Sequence, residues 1–283
     1  MKKLLSLIIL TLAVLSLSSC SSINEVDQDK VKDVSDKITE AIIDTVGKEK
    51  AERKESHTLN AENINTLKIK SSVGDINIST HESKDAIINL NIAAQTGSKE
   101  KSEQLIKDFS YSVEDSLNSI VVDTSFKDIK FDDSNVSTDL TIAVPSNIEN
   151  IIIDLNVGDI SIKNINGTYE IENNVGNIDI KNSQASYDIK TNVGEITLTE
   201  VAAEGSSEFI TNTGDINALF NKIENADRIK ASTDVGDINI TLPDDSSYEA
   251  VINEFMEKEK TESNKDKHTK IELITGVGTI EFN

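Results

Sequence analysis

Tryptophan is absent from the 283 residues, aromatic side chains make up only 4%, and there are one cysteine, two prolines and three histidines. A single cysteine, Cys20, excludes an intrachain disulfide and any cysteine-based metal site. So few aromatics argue against the sugar-stacking cleft that long polysaccharide-degrading solenoids use. His57, His81 and His268 fall in separate polar segments without the spacing of metal ligands. Basic residues are scarce as well, 28 against 50 acidic ones, for a net charge of −22. A surface this negative repels nucleic acid and anionic headgroups, so nucleic acid is excluded as a partner. No glycine-rich phosphate loop precedes a helix, and no Gly-x-Ser-x-Gly elbow occurs. The chain therefore reads as non-enzymatic, with no catalytic residue, metal or cofactor expected beyond a covalent lipid.

One long apolar run exists, Leu4 to Leu17, behind Lys2 and Lys3. It is shorter than the roughly 20 residues a transmembrane helix needs, and it has the layout of an export signal. It ends in Leu17-Ser18-Ser19-Cys20, which resembles the bacterial lipobox. That resemblance implies a signal peptide over residues 1–19, cleavage before Cys20, a diacylglycerol on the Cys20 thiol and acylation of the new amino terminus. Each buried methylene adds about 0.8 kcal/mol, so two or more chains anchor firmly. The alternative is an ordinary secretory signal in which Cys20 is incidental. The expected product is a lipid-anchored protein on the cell membrane or outer membrane, facing away from the cytoplasm. Ser21 carries no mark for inner-membrane retention. Loss of Lys2 and Lys3 with the signal makes the mature chain two charges more negative.

Residues 20–59 read as a lipid anchor followed by a helical spacer or cap. From Asn24 to about Arg53, Val31, Val34, Ile38, Ala41 and Thr45 recur at helical spacing, with Ile42 and Val46 widening the stripe. A spacer from the membrane, a self-association helix and a cap over the body all fit. The run Lys48 to Glu55 reads as a solvated face or linker.

Beyond residue 60 the period changes to two: Leu67, Ile69 and Ser71; Ile76 and Ile78; Ile88, Leu90 and Ile92; Ile120, Val122, Thr124 and Phe126. A short helix is expected over about Lys99 to Phe109, and Pro145 and Pro243 close strands. Self-similarity then sets the architecture. The word Val-Gly-acidic-Ile-x-Ile recurs around Gly74, Gly158, Gly176, Gly194, Gly214, Gly236 and Gly278. From Gly158 to Gly236 the glycines stand 18, 18, 20 and 22 residues apart, and a last gap of 42 leaves room for one more strand pair and a charged insertion from Glu254 to Lys270. A short fixed period means stacked units that bury a core only together. Residues 60–283 are therefore predicted to be an all-β, parallel β-solenoid whose rungs stack at about 4.8 Å. Ile153, Ile171, Ile189, Phe209 and Ala231, five residues before their glycines, form one inward column, and Tyr169 and Tyr187 form a stacked pair.

Two further columns bear on function. Asn156, Asn174, Asn192 and Asn212, continued by Asp234, stand two residues before the glycine and are read as an internal structural ladder. A ligand-binding amide row is the alternative. The acidic column after the glycine, Asp75, Asp159, Glu195, Asp215 and Asp237 with Asn177 in place, reads as exposed turn residues. Of these, Asp159, Glu195, Asp215 and Asp237 form a weak cation edge that Lys163 and Lys181 partly offset.

With these words and the strand ends Val144-Pro145 and Leu242-Pro243, the chain from about residue 60 resembles the putative-adhesin or LiaG-like domain family of bacterial envelope proteins. The resemblance implies a β-solenoid without established enzymatic activity, carried on tethered envelope proteins and found in stress-response operons. It points to an adhesin-like structural or binding protein that meets an envelope protein or glycan. A stress-sensing component that binds a membrane partner is the second reading, and a glycan-active enzyme the third.

Overall fold

The structure, a computed structural model, describes residues 49–126, 135–254, 260–264 and 268–283. Cys20, the export signal and the helical stripe from Val31 to Val46 lie outside the described residues. The described residues divide into two units, a smaller one of 49–51, 94–107 and 135–136, and a larger one of 52–93, 108–126, 137–254, 260–264 and 268–283.

The described residues are all-β with one short helix, in a solenoid-like sheet. β1 (Glu49–Asn60) comes first, and the first glycine word joins β2 (Thr66–Val73) to β3 (Ile76–His81). There follow β4 (Asp85–Thr96), α1 (Lys99–Asp108), the strands β5 (Ser112–Ser116) and β6 (Ser119–Thr124), and β7 (Asn135–Pro145). Regular rungs come next: β8 (Asn150–Val157) with β9 (Ile160–Lys163), β10 (Gly167–Val175) with β11 (Ile178–Lys181), and β12 (Gln184–Val193) with the first part of β13 (Ile196–Thr213). β13 and β14 (Ile216–Val235) each bend from one rung into the next, and β14 leads to β15 (Ile238–Thr241). An antiparallel pair, β16 (Tyr248–Glu254) and β17 (Lys260–Asn264), precedes β18 (Thr269–Val277) and β19 (Ile280–Phe282).

In the larger unit like residues pair with like. Ile171 stands in parallel register between Ile153 and Ile189, and Val175 between Val157 and Val193. Stack order departs from chain order at the start. β2 lies between β6 and β8, and β3 between β7 and β9, so β6 and β7 supply the rung before the first glycine word although they follow it in the chain. At the far end β16 pairs with β18, so strands from within the 42-residue gap extend the sheet past the last glycine word.

Period-two alternation sends one face of every strand inward. Ile76, Ile160, Ile178, Ile196, Ile216 and Ile238 are buried after their glycines, and Ile153, Ile171, Ile189, Phe209 and Ala231 before them. Tyr169 stacks on Tyr187 with ring centroids 5.3 Å apart, and Phe209 and Phe220 continue the series at 5.8 and 6.3 Å. The Tyr169 hydroxyl donates to the Ile165 carbonyl at 2.6 Å and the Tyr187 hydroxyl lies 2.9 Å from that of Ser183, so neither buried phenol lacks a partner. Burial first, then the neighbouring phenol, raises the Tyr169 pKa above its ordinary value, and burial likewise raises that of Tyr187.

In the smaller unit the helix expected near Lys99 is present as α1. The Ser98 hydroxyl caps it by accepting the Lys101 N–H at 3.1 Å, and the buried Ser102 hydroxyl donates to the Glu49 carbonyl at 2.8 Å. The helical reading from Asn24 does not extend to Arg53: Glu49–Asn60 is strand β1, paired with β4. Alternate residues of β1 from Ala51 to Leu59 are half-buried, with Arg53 donating to the Phe109 carbonyl at 3.2 Å. Sheet pairing overrides the helix preference of Glu, Lys and Ala.

Candidate functional site

The glycine corner presents the same outward groups in rung after rung, and its geometry starts from the glycine. Gly176 has φ +139°, and a Cβ there would sit 1.9 Å from the Gly158 carbonyl oxygen of the neighbouring rung. Positive φ and backbone contact both exclude a side chain. The corner keeps its ladder bonds: the Gly158 N–H donates to Val175 and the Gly176 N–H to Val193, each at 2.9 Å.

The acidic column does not fan freely into water. Asp75 Oδ1 accepts the Asp159 N–H at 3.0 Å, Asp159 Oδ1 the Asn177 N–H at 2.7 Å, and Asn177 Oδ1 the Glu195 N–H at 2.9 Å. Asp215 does the same for Asp237 at 2.8 Å, and Asp237 for Thr279 at 2.7 Å. Each side chain thus satisfies a backbone donor one rung away. Glu195, one methylene longer, instead accepts the Thr197 hydroxyl at 2.8 Å and the Asn217 amide at 2.7 Å. Lys163 and Lys181 do not offset this edge. They stand at the opposite end of β9 and β11, about 13 Å of strand away, and Lys181 pairs with Asp179 at 2.8 Å. Among the described residues no three His, Cys, Asp or Glu side chains gather as a metal ion would need.

The amide ladder is external rather than internal. Asn174 donates to Asn156 at 2.8 Å, Asn192 to Asn174 at 2.7 Å and Asn212 to Asn192 at 3.1 Å, yet Asn156, Asn174, Asn192, Asn212 and Asp234 are all exposed. The inward position is one residue earlier. There the buried Asn173, Thr191, Thr211, Thr233 and Thr275 donate to the carbonyls of Gly158, Gly176, Gly194, Gly214 and Gly236, at 3.0, 3.4, 3.0, 3.0 and 2.8 Å. The same two-residue alternation that identified the isoleucine column marks this one. The corner also interrupts the alternation, so the residue just before the glycine faces outward together with the asparagine preceding it. Val157, Val175, Val193, Val235 and Val277 are exposed for that reason.

The histidines stay apart. His57 Nε2 lies 3.0 Å from the Tyr111 hydroxyl, His81 Nε2 donates to the Asp85 carbonyl at 2.6 Å, and His268 lines a shallow pocket with Asn221, Pro243 and Asp245.

A repeated glycine corner on a solenoid-like sheet is a family-level feature, and a family profile named Toastrack DUF4097 matches residues 62–282. The chain belongs to the Toastrack DUF4097 family. The match runs from just before β2 to β19, so the family covers all of the glycine words. A comparison with curated proteins finds no match. Among solved structures this Toastrack chain is similar to a putative adhesin from Bacteroides fragilis NCTC 9343, at 18% identity and a TM-score of 0.43, covering 82% of this chain and 97% of that one. A putative cell adhesion protein from Clostridium sporogenes ATCC 15579 aligns at 14% identity and a TM-score of 0.31, covering 82% and 99%. A putative adhesin from Parabacteroides distasonis ATCC 8503 aligns at 13% identity and a TM-score of 0.35, covering 82% and 97%.

Proposed function

We propose that this protein is a lipid-anchored, adhesin-like binding protein of the bacterial cell envelope, held outside the cytoplasm by acyl chains on Cys20 and presenting a parallel β-solenoid to an envelope protein or glycan without acting on it chemically. The observation that carries this reading is the repetition of one surface, rung after rung, at the glycine corner. Asn174, Asn192 and Asn212 offer the same amide in the same orientation, and the acidic column beside them repeats in the same way. Groups arrayed in columns suit many weak contacts to an extended partner, whereas catalysis needs different groups converging on one atom.

The test uses the full chain in its own cell. Wild-type protein is expected in the membrane fraction, digestible by protease added outside, with an acylated amino terminus at Cys20 by mass spectrometry. Cys20→Ser should release it or halt its maturation, and cells carrying it should lose attachment to envelope material or host matrix that wild-type cells retain. An unmodified amino terminus cut elsewhere removes the anchor from the proposal, and unchanged attachment after deletion of the gene removes adhesion.

A further inference from the structure

Seven large apolar side chains are conspicuously exposed among the described residues, and five of them, Val157, Val175, Val193, Val235 and Val277, form one stripe. They are 39, 46, 49, 48 and 57% exposed. Their register is continuous: Val157 pairs with Val175, Val175 with Val193, Val193 with Thr213, Thr213 with Val235 and Val235 with Val277. Six positions one rung apart make an apolar line about 24 Å long. A row of exposed amides flanks it on one side and the acidic row on the other.

We propose that this stripe is where a second copy of the chain docks, side by side and in parallel, with a two-fold axis running along the valines. Two features point to a second copy rather than another occupant. A partner that fills the line must carry apolar groups at the rung spacing, and a second copy carries them by construction. The flanking rows then complete the match. A two-fold axis along the stripe sets the amide row of each copy against the carboxylate row of the other, whereas an antiparallel pair would set carboxylates against carboxylates. The unused hydrogen-bonding groups agree with this. Each amide nitrogen has two hydrogens, and the ladder takes one from each of Asn174, Asn192 and Asn212. Asp159 and Asp215 each spend Oδ1 on a backbone N–H, which leaves Oδ2 to accept. One edge therefore has surplus donors and the other surplus acceptors, on either side of an apolar centre. This is the layout of an interface with a dry middle and a polar rim.

The net charge of −22 opposes any such pairing at long range, so association should strengthen as salt screens it.

The experiment is disulfide trapping in the full chain, with Val157→Cys, Val193→Cys and Val235→Cys made singly. Wild type, whose one cysteine is Cys20, sets the background. A residue on a parallel two-fold axis faces its own counterpart, so all three variants should cross-link to themselves, and Thr197→Cys, on the outer face of β13, should stay at background. Light scattering should show a dimer favoured by raising salt from about 0.05 to 0.5 M, and Val193→Asp should weaken it at least tenfold without changing the melting temperature of the dilute monomer. If none of the three variants exceeds background and the chain is monomeric at every salt concentration, the proposal fails. Parallel docking is also overturned if Val157→Cys cross-links only when mixed with Val277→Cys, which is the antiparallel signature. Loss of attachment in Val193→Asp while wild type is monomeric would assign the stripe to a different partner and overturn the proposal as well.

Discussion

Oδ1 of Asp159 accepts the backbone N–H of Asn177 at 2.7 Å, one rung away. Asn177 in turn uses its own Oδ1 on Glu195 at 2.9 Å, so a carboxylate and an amide do the same work in successive rungs. Asp159→Asn should therefore change stability by less than about 0.5 kcal/mol, while Asp159→Ala, which leaves the Asn177 N–H without its acceptor, should cost about 1 kcal/mol. Urea unfolding of the two variants checks this. Equal losses would mean that charge, not the acceptor atom, matters at this corner.

Two glycines at positive φ, Gly176 and Gly205, should respond very differently to a methyl group. Gly176→Ala drives Cβ into the Gly158 carbonyl oxygen at 1.9 Å, whereas at Gly205, φ +56°, nothing lies within 4 Å. The first should cost more than about 3 kcal/mol or prevent folding, the second about 1 to 2 kcal/mol from backbone conformation alone. Circular dichroism melts would separate them, and a mild effect at Gly176 would contradict the close stacking.

Polar columns on the two sides of the wall should rank by burial. Thr211→Val removes the donor to the Gly194 carbonyl from a buried site and should cost about 1 to 2 kcal/mol. Asn192→Ala, in the exposed ladder, should stay within about 1 kcal/mol because water replaces the lost partner. The opposite ranking in denaturant titrations would return the asparagines to a buried role.

Alkaline pH should unfold the protein through its stacked phenols. Tyr169 and Tyr187 both have pKa values raised above the ordinary 10.0, chiefly by burial. A raised pKa means that the folded state holds the proton more tightly, so this stabilisation is complete below pH 10 and is lost as pH climbs beyond it. Tyr187→Phe should flatten part of that fall. A melting temperature that declines equally steeply in wild type and Tyr187→Phe would show that other groups govern it.

Residue patterns carried the isoleucine columns, the Tyr169–Tyr187 stack and the helix at Lys99, because each depends on local alternation or exact spacing. They misplaced Asn156, Asn174, Asn192 and Asn212, which were read as turn amides paired inside the stack although the alternation counted from Ile153 and Leu155 puts them on the outer face. They missed the outward valines because a glycine at positive φ breaks that alternation one residue later. β1 escaped because Glu, Lys and Ala favour a helix until β4 pairs with them. The position of β6 and β7 ahead of the first glycine word depends on pairing between distant segments, and no local pattern encodes it.

That last arrangement divides the solenoid into a part that can change length and a part that cannot. From Gly158 to Gly194 the rungs follow each other in chain order at 18-residue intervals, and β10 pairs in unbroken register with both β8 and β12. Duplicating residues 158–175 would add one more rung, offering to its neighbours the same edges they already meet. No such duplication works for residues 66–81, which are held between segments that come later in the chain on both sides. The number of stacked rungs is therefore a quantity that inheritance can adjust one at a time in the middle while the starting end stays fixed.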